Sequence, residues 1–288
     1  MFKRNYLRKP DWLKVKVPSG DEYKNVFNLL KKHELATVCQ EARCPNITEC
    51  WSKKSATIMI LGKVCTRACR FCSVVTGNPN GYLNPEEPAN VAEVIKILGL
   101  KYVVITSVDR DDLPDYGSSH YAKTIEKIKE KNPQTNVEVL IPDFAGDKNL
   151  LRKIVDARPF VIGHNIETVK RLTRYIRDRR CGYEKSLSVL KKIKEINSQI
   201  FTKSGFMLGL GEEHTEIVKA IKDLKGANID ILTIGQYLQP TKKNVSVQKY
   251  YTPEEFNELK KIAEEAGIKR VVSGPLVRSS YHAAEILL

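Results

Sequence analysis

No apolar run in this chain approaches the ~20 residues needed to span a bilayer, and the segment Met1 to Pro10 lacks the apolar core of a secretory signal. Both absences lead us to expect a cytoplasmic protein without a membrane partner. No Gly-x-Gly-x-x-Gly turn follows an early candidate strand, which argues against an open dinucleotide-binding sheet. The stretch Gly205 to Gly211 lacks the Gly-Lys-Ser/Thr ending of a phosphate loop, although glycines beside a strand would allow close approach of a flat adenine. No recognisable nucleic-acid-binding module accompanies the formal charge of +14. The lysines are spread through amphipathic segments such as 122–132 and 190–197, as on solvated helix faces, so a nucleic-acid partner is not expected. Composition also argues against disorder away from the ends: 42% of the 288 residues are hydrophobic, enough for one large α/β domain or two small ones.

What is present begins with alternation. From Thr57 to about Gly274, short apolar runs alternate with longer amphipathic segments. Strands are expected at Thr57 to Leu61, Tyr102 to Thr106, Val137 to Ile141, Phe160 to Gly163, Phe201 to Leu208, Ile229 to Ile234 and Arg270 to Val272. Helices are expected near 87–99, 118–132, 147–157, 184–197, 213–226 and 253–266. Repeated strand-helix units favour a parallel sheet, and this number of units fits an α/β fold with a partial or complete TIM-like (β/α) barrel. The first 55 residues read as an irregular extension with one helical stretch around Tyr23 to His33. Ligands are expected at the carboxyl ends of the strands, where the loops Leu61 to Val75 and Ser107 to Ser118 emerge.

Seven cysteines are many for a reducing compartment, where close-spaced thiols more often hold metal than form disulfides. Cys65, Cys69 and Cys72 stand at C-x3-C-x2-C, directly after a candidate strand. Three thiols on one short loop can grip a four-iron cluster and leave one iron open to an exogenous ligand. Structural zinc usually draws on two pairs of ligands, and no second pair fits here. Upstream, Cys39, Cys44 and Cys50 form a second triplet, C-x4-C-x5-C. Two triplets of different spacing within 34 residues imply two metal centres. A two-cluster electron carrier remains an alternative, but it would not need more than 200 further residues of strand-helix alternation.

The first triplet, with an aromatic residue before its last cysteine, resembles that of the radical S-adenosylmethionine superfamily. The second, with its run Glu41-Ala-Arg-Cys-Pro-Asn, resembles the auxiliary-cluster motif of the lipoyl synthase family, as does Arg278-Ser-Ser-Tyr281 near the carboxyl end. The segments starting at Thr106, His164, Gly205 and Gly235 are similar to segments of the same family in the same order. The resemblance implies two 4Fe-4S clusters and S-adenosylmethionine. Cys65, Cys69 and Cys72 would hold the cluster that cleaves S-adenosylmethionine to a 5'-deoxyadenosyl radical. Cys39, Cys44, Cys50 and Ser280, rather than Ser279, would hold the auxiliary cluster that donates sulfur. Phe71, Thr106, Ser107, Asp109, Asn165 and Glu167 would border S-adenosylmethionine. The reaction implied is insertion of two sulfurs at C6 and C8 of an octanoyl group on a lipoyl carrier domain.

Partners implied are octanoylated carrier domains, an electron donor such as ferredoxin or flavodoxin, and iron-sulfur assembly proteins. Carrier domains tend to be acidic, which gives the basic surface a use. The chain then divides into an extension at 1–55 carrying the auxiliary cysteines, a radical barrel at 56–274, and a segment at 275–288 closing the auxiliary cluster. A methylthiotransferase-like radical enzyme is the nearest alternative, but that class would append an RNA-binding domain. The sequence departs from the family at Asp115-Tyr-Gly-Ser118, where Asp-Gly-Gly-Ala is common, and at Arg70, where proline is common. Cys181, in an arginine-rich stretch, reads as a surface or packing thiol, and His164 as a buried or capping histidine.

Overall fold

The computed structural model describes residues 7–15, 20–52, 56–281 and 283–286. An eight-stranded sheet runs in the order β1 (Ala36–Thr37), β2 (Thr57–Ile60), β5 (Tyr102–Ser107), β6 (Asn136–Leu140), β7 (Val161–Gly163), β8 (Phe201–Leu208), β9 (Ile231–Gln236), β10 (Arg270–Gly274). Neighbours from β2 to β10 are parallel, and the strands are rich in Val and Ile because both faces of each are covered. Two further short strands, β3 (Val64–Cys65) and β4 (Val75–Thr76), pair with each other outside this sheet.

The barrel is partial. Ala36 and Thr37 pair antiparallel with Met59 and Ile58, so β1 occupies the edge of β2 that a closed barrel would offer to β10. The strand expected at Ile229 to Ile234 lies two residues later, at β9.

The long crossover helices are α4 (Glu87–Leu98), α5 (Ser118–Lys131), α6 (Lys148–Asp156), α8 (Tyr183–Ile196), α9 (His214–Gly226) and α10 (Pro253–Glu265), with the shorter α7 (Lys170–Ile176) after β7. Local chemistry sets their ends. Thr252 Oγ1 accepts the Glu255 amide while the Glu255 carboxylate accepts that of Thr252, with Pro253 at the first helical position. Gly99 stops α4 in a left-handed conformation at φ 64°. No helix among the described residues is long and apolar enough to cross a membrane.

The amino-terminal residues form α1 (Asp21–Lys32), α2 (Val38–Glu41) and α3 (Ile47–Ser52). Their apolar side chains join the barrel core: Val26, Leu30, Cys39 and Trp51 belong to the cluster that contains Ile58, Met59 and Ile60. Trp51 is fully buried and stacks on Tyr23 at 4.9 Å. At the other end of the chain, a Cβ on Gly235 of β9 would collide with the Val277 carbonyl oxygen. The glycine therefore lets residues 276–281 lie across the barrel mouth.

Candidate active site

The loop from Leu61 to Val75 is held by bonds to every side of the barrel mouth. Thr66 N–H donates to the Asp109 carbonyl at 3.0 Å, Ala68 N–H to Asp178 Oδ2 at 2.9 Å, and Arg70 N–H to the Ile176 carbonyl at 2.8 Å. Asn244 Nδ2 donates to the Cys72 carbonyl at 2.7 Å. The strongest tie is Arg67, only 5% exposed. Its guanidinium makes a bidentate pair with Asp143 at 2.8 and 2.9 Å, another with Asp111, and an ion pair with Asp109 at 3.2 Å. Burial disfavours the cation, but the surrounding carboxylates outweigh it and hold Arg67 charged.

None of the seven cysteines is joined in a disulfide among the described residues. Cys65 Sγ accepts the amides of Arg67 and Asp109, each at 3.4 Å, and Cys69 Sγ accepts that of Asp178 at 3.3 Å. Burial pushes the Cys65 thiol up to about 12 and also raises Cys72, so both are protonated at neutral pH and metal uptake must release their protons. Burial likewise lifts Asp109 to about 6 against the pull of Arg67.

The upstream triplet sits on the short helices beside β1. Thr37 Oγ1 caps α2 by accepting the Gln40 amide, and Cys44 N–H closes a turn onto the Cys39 carbonyl at 3.0 Å. Burial pushes Cys39 up to about 11 and raises Cys44. The carboxyl-terminal segment is pinned against this triplet, since Asn46 Nδ2 donates to the Leu276 carbonyl at 2.8 Å and Tyr281 Oη to Glu49 Oε2 at 3.1 Å. Ser279 Oγ accepts from Asn165 Nδ2 at 2.8 Å, whereas the Ser280 hydroxyl makes no hydrogen bond among the described residues.

Two cavities meet at the mouth. The larger, of about 260 Å³, is lined by Cys39, Cys44, Cys50 and Ser280 together with Phe71 and Cys72. Its lining is largely apolar. The smaller, of about 140 Å³, holds Cys69, Ser107 and Asp109, and shares Phe71, Thr106, Asn165 and Glu167 with the larger. Cys65 lines neither cavity. The structure thus gathers all six residues expected to border S-adenosylmethionine around one space.

Two side chains there are poised for a polar ligand. Asn165 Oδ1 and Arg177 Nε are buried without a hydrogen-bond partner. Glu167, half-buried and with its carboxyl raised chiefly by desolvation, carries a strained φ of 65° between β7 and β8. A small zwitterion suits these groups: Arg177 offers charge to a carboxylate, and Asn165 and Glu167 offer acceptors. Among the described residues no three His, Cys, Asp or Glu side chains converge as a lone metal ion requires. Of the three loop thiols, Cys72 lines the larger cavity, Cys69 the smaller and Cys65 neither.

Sequence reasoning missed Arg67, Arg177 and Cys181. Cys181, expected to be a surface or packing thiol, lines the smaller cavity, where Arg67 Nη1 donates to its sulfur at 3.5 Å. The neighbouring Cys69 thiol, with Arg177 and Arg67, holds the Cys181 thiol below its ordinary range against burial, while Cys69 is pushed up. His164 is buried as expected: Nδ1 bonds the Ile141 carbonyl and Nε2 the Ser186 hydroxyl, each at 2.9 Å. At Gly209, the close approach comes from the Gln236 side chain and the Lys249 carbonyl.

Residues 59–224 match the Radical SAM superfamily, and residues 1–44 match the N-terminal domain of lipoyl synthase of the radical SAM family. A lipoyl synthase of Francisella tularensis subsp. mediasiatica (strain FSC147) is 53% identical over 98% of this chain and 86% of its own length. One from Ectopseudomonas mendocina (strain ymp) is 53% identical over 96% and 79%. Among solved structures, HydG, a maturase of the [FeFe]-hydrogenase, superposes with a TM-score of 0.58 at 15% identity over 86% of this chain and 63% of that one. Methylornithine synthase (PylB) gives 0.50 at 14% over 74% and 69%. Such distant likenesses establish the partial barrel alone. The relatives establish more: this chain belongs to the lipoyl synthase family of radical S-adenosylmethionine enzymes.

Proposed function

We propose that this chain inserts sulfur at C6 and C8 of a protein-bound octanoyl group, with one cluster on Cys65, Cys69 and Cys72 and a second on Cys39, Cys44, Cys50 and Ser280. Family membership carries sulfur insertion to form the lipoyl cofactor, a 4Fe-4S cluster, S-adenosylmethionine, an octanoylated carrier and a reductant. The second cluster and every ligand named are our assignments. When bound, these groups supply a 5'-deoxyadenosyl radical and the sulfur it makes room for.

The observation that carries the assignment is that Cys39, Cys44 and Cys50 line the same cavity as Cys72, and that this cavity shares residues with the smaller one lined by Cys69. The apolar wall of the larger cavity, including Phe206, Met207 and Val277, suits an eight-carbon acyl chain and keeps water from a reactive carbon. Arg177, whose Nε is buried without a partner, would bind the carboxylate of S-adenosylmethionine, and Asn165 and Glu167 would orient its polar groups. Phe71, Thr106, Ser107 and Asp109 complete that wall. Ser280 is assigned over Ser279 because the Ser279 hydroxyl is already engaged by Asn165. A serine oxygen is a weaker ligand for iron than a thiolate, which suits a cluster that is dismantled in use. The division at residues 55 and 274 follows the same assignment, with both flanking segments serving the second cluster. Ferredoxin or flavodoxin as reductant, iron-sulfur assembly proteins for repair and a cytoplasmic setting complete the proposal.

The test is reconstituted protein incubated anaerobically with reductant, S-adenosylmethionine and an octanoylated carrier peptide. Mass spectrometry is expected to show the peptide gaining two sulfurs. Formation of 5'-deoxyadenosine without sulfur transfer, in protein whose iron and sulfide content accounts for two clusters, would overturn it.

A further inference from the structure

The chain that carries Cys65, Cys69 and Cys72 leaves the sheet at Leu61 and returns past Gly81 and Tyr82 to α4. Leu61 is 2% exposed and left-handed at φ 69°, a conformation that a leucine keeps only when its surroundings impose it. Both of its backbone polar groups are held by buried side chains. Its N–H donates to Glu87 Oε2 at 2.7 Å, and its carbonyl accepts from Arg110 Nη1 at 3.0 Å. Its side chain takes up the space beside Gly117, where a Cβ would meet a Leu61 methyl at 2.6 Å.

Arg110, only 1% exposed, reaches the other end of the excursion as well. Its Nη2 donates to the Tyr82 carbonyl at 2.9 Å. Asp112 steadies the guanidinium through two bonds of 2.8 Å and also accepts the Gly81 amide at 2.8 Å. Glu87 is steadied in turn by His120, whose Nε2 lies 2.7 Å from the same carboxylate oxygen. The run 109–112 therefore holds the loop at two levels. Asp109 and Asp111 grip Arg67 in its middle, whereas Arg110 and Asp112 close its ends. Glu87, Arg110, Asp112 and His120 line neither cavity at the barrel mouth.

We propose that Arg110 and Glu87 are positioning residues, which fix the peptide groups of Leu61 and Tyr82 and thereby set where the loop holds its three thiols. The consequence for a cluster rests on the assignment of Cys65, Cys69 and Cys72 as its ligands; the clip itself belongs to the chain without metal. A guanidinium suits the place because one planar fork meets two carbonyls and a carboxylate together, which a lysine ammonium on a flexible stem does not reproduce. At position 87 the requirement is an acceptor oxygen, since without one the buried Leu61 N–H is left unpaired.

The test is amide hydrogen exchange, read by mass spectrometry, on full-length metal-free protein. Arg110→Lys, which keeps the charge beside Asp112, and Glu87→Leu act from opposite sides of the same residue. Each is expected to speed exchange across 61–82 by about tenfold, the equivalent of one lost buried hydrogen bond to a charged group. Peptides from β8 and β9 are expected to keep their rates, because the opening is local. Glu87→Gln, which retains an oxygen for Leu61, is expected to restore the protection. In reconstituted Arg110→Lys at matched iron content, the electron paramagnetic resonance spectrum of the reduced loop cluster with S-adenosylmethionine is expected to change. Unchanged exchange across 61–82, acceleration shared equally by β8 and β9, or an unaltered spectrum would overturn the proposal. Failure of the unaltered protein to load iron on the loop would sink the ligand assignment and leave the exchange result standing.

Discussion

The triplet at 65–72 is tied down by charge and long-range backbone bonds, whereas the triplet at 39–50 rides on two short helices packed through Cys39, Trp51 and their apolar neighbours. Polar links from the second run mainly to the carboxyl-terminal segment and to Ser73, whose hydroxyl donates to the Glu41 carbonyl at 2.6 Å. One loop is thus fixed by a scaffold that surrounds it, and the other by a lighter set of contacts at the rim. The contrast matches the proposed roles: a centre that persists through turnover, and one that must be emptied and rebuilt.

The sharpest break in that comparison is to remove one thiol from each. Cys69→Ala is expected to abolish formation of 5'-deoxyadenosine, while Cys44→Ala keeps it and loses all sulfur transfer; chromatography of the nucleoside and peptide mass separate the two. Next is Arg67→Met. It leaves three buried or half-buried carboxylates without their cation, so denaturant unfolding is expected to show a loss of about 3–5 kcal/mol. Trp51→Ala, the corresponding cut at the upstream triplet, removes packing of a similar size, about 3–5 kcal/mol, but is expected to lower auxiliary iron content while leaving nucleoside formation in place.

A pH titration probes the wall behind the smaller cavity. Burial chiefly, with Arg177, holds His164 down to about 4 from its ordinary 6.5, so the unfolded chain binds the proton more tightly than the folded one. The contribution is fully present above pH 6.5 and is lost as pH falls from there towards 4, by about 3 kcal/mol. His164→Asn is expected to flatten that part of the stability profile measured in urea; an unchanged slope would mean the imidazole is not the source. The smallest effect is the serine pair. Ser279→Ala costs about 1 kcal/mol through its lost bond to Asn165. Ser280→Ala is expected to leave stability within about 0.5 kcal/mol yet stop sulfur transfer.

Much of this was legible in sequence because it is local. Strand positions follow from short Val and Ile runs, and the triplets announce themselves by spacing. The partial closure was not legible: β1 is two residues long with no periodicity, yet it decides which edge β2 presents. Arg67 read as one of many arginines, since its partners at 109, 111 and 143 come from the ends of other strands. Arg177 and Cys181 were hidden in a basic stretch that resembles solvated surface, and only the docking of turn 178–181 onto the loop brings them to the smaller cavity. The proposed cofactor contacts of Thr106 and Asn165 rest on family resemblance; composition alone would treat both residues as caps.

The pairing of β1 with β2 has a further meaning for chemistry between two centres. Cys39 follows Thr37 by two residues, and Cys65 follows Ile60 by five, so both sites are measured from the same pair of hydrogen-bonded strands. On the proposed assignment, a shared baseline of this kind would set the gap between radical and sulfur donor without a moving domain, and would leave the acyl chain as the part that shifts from one carbon to the next.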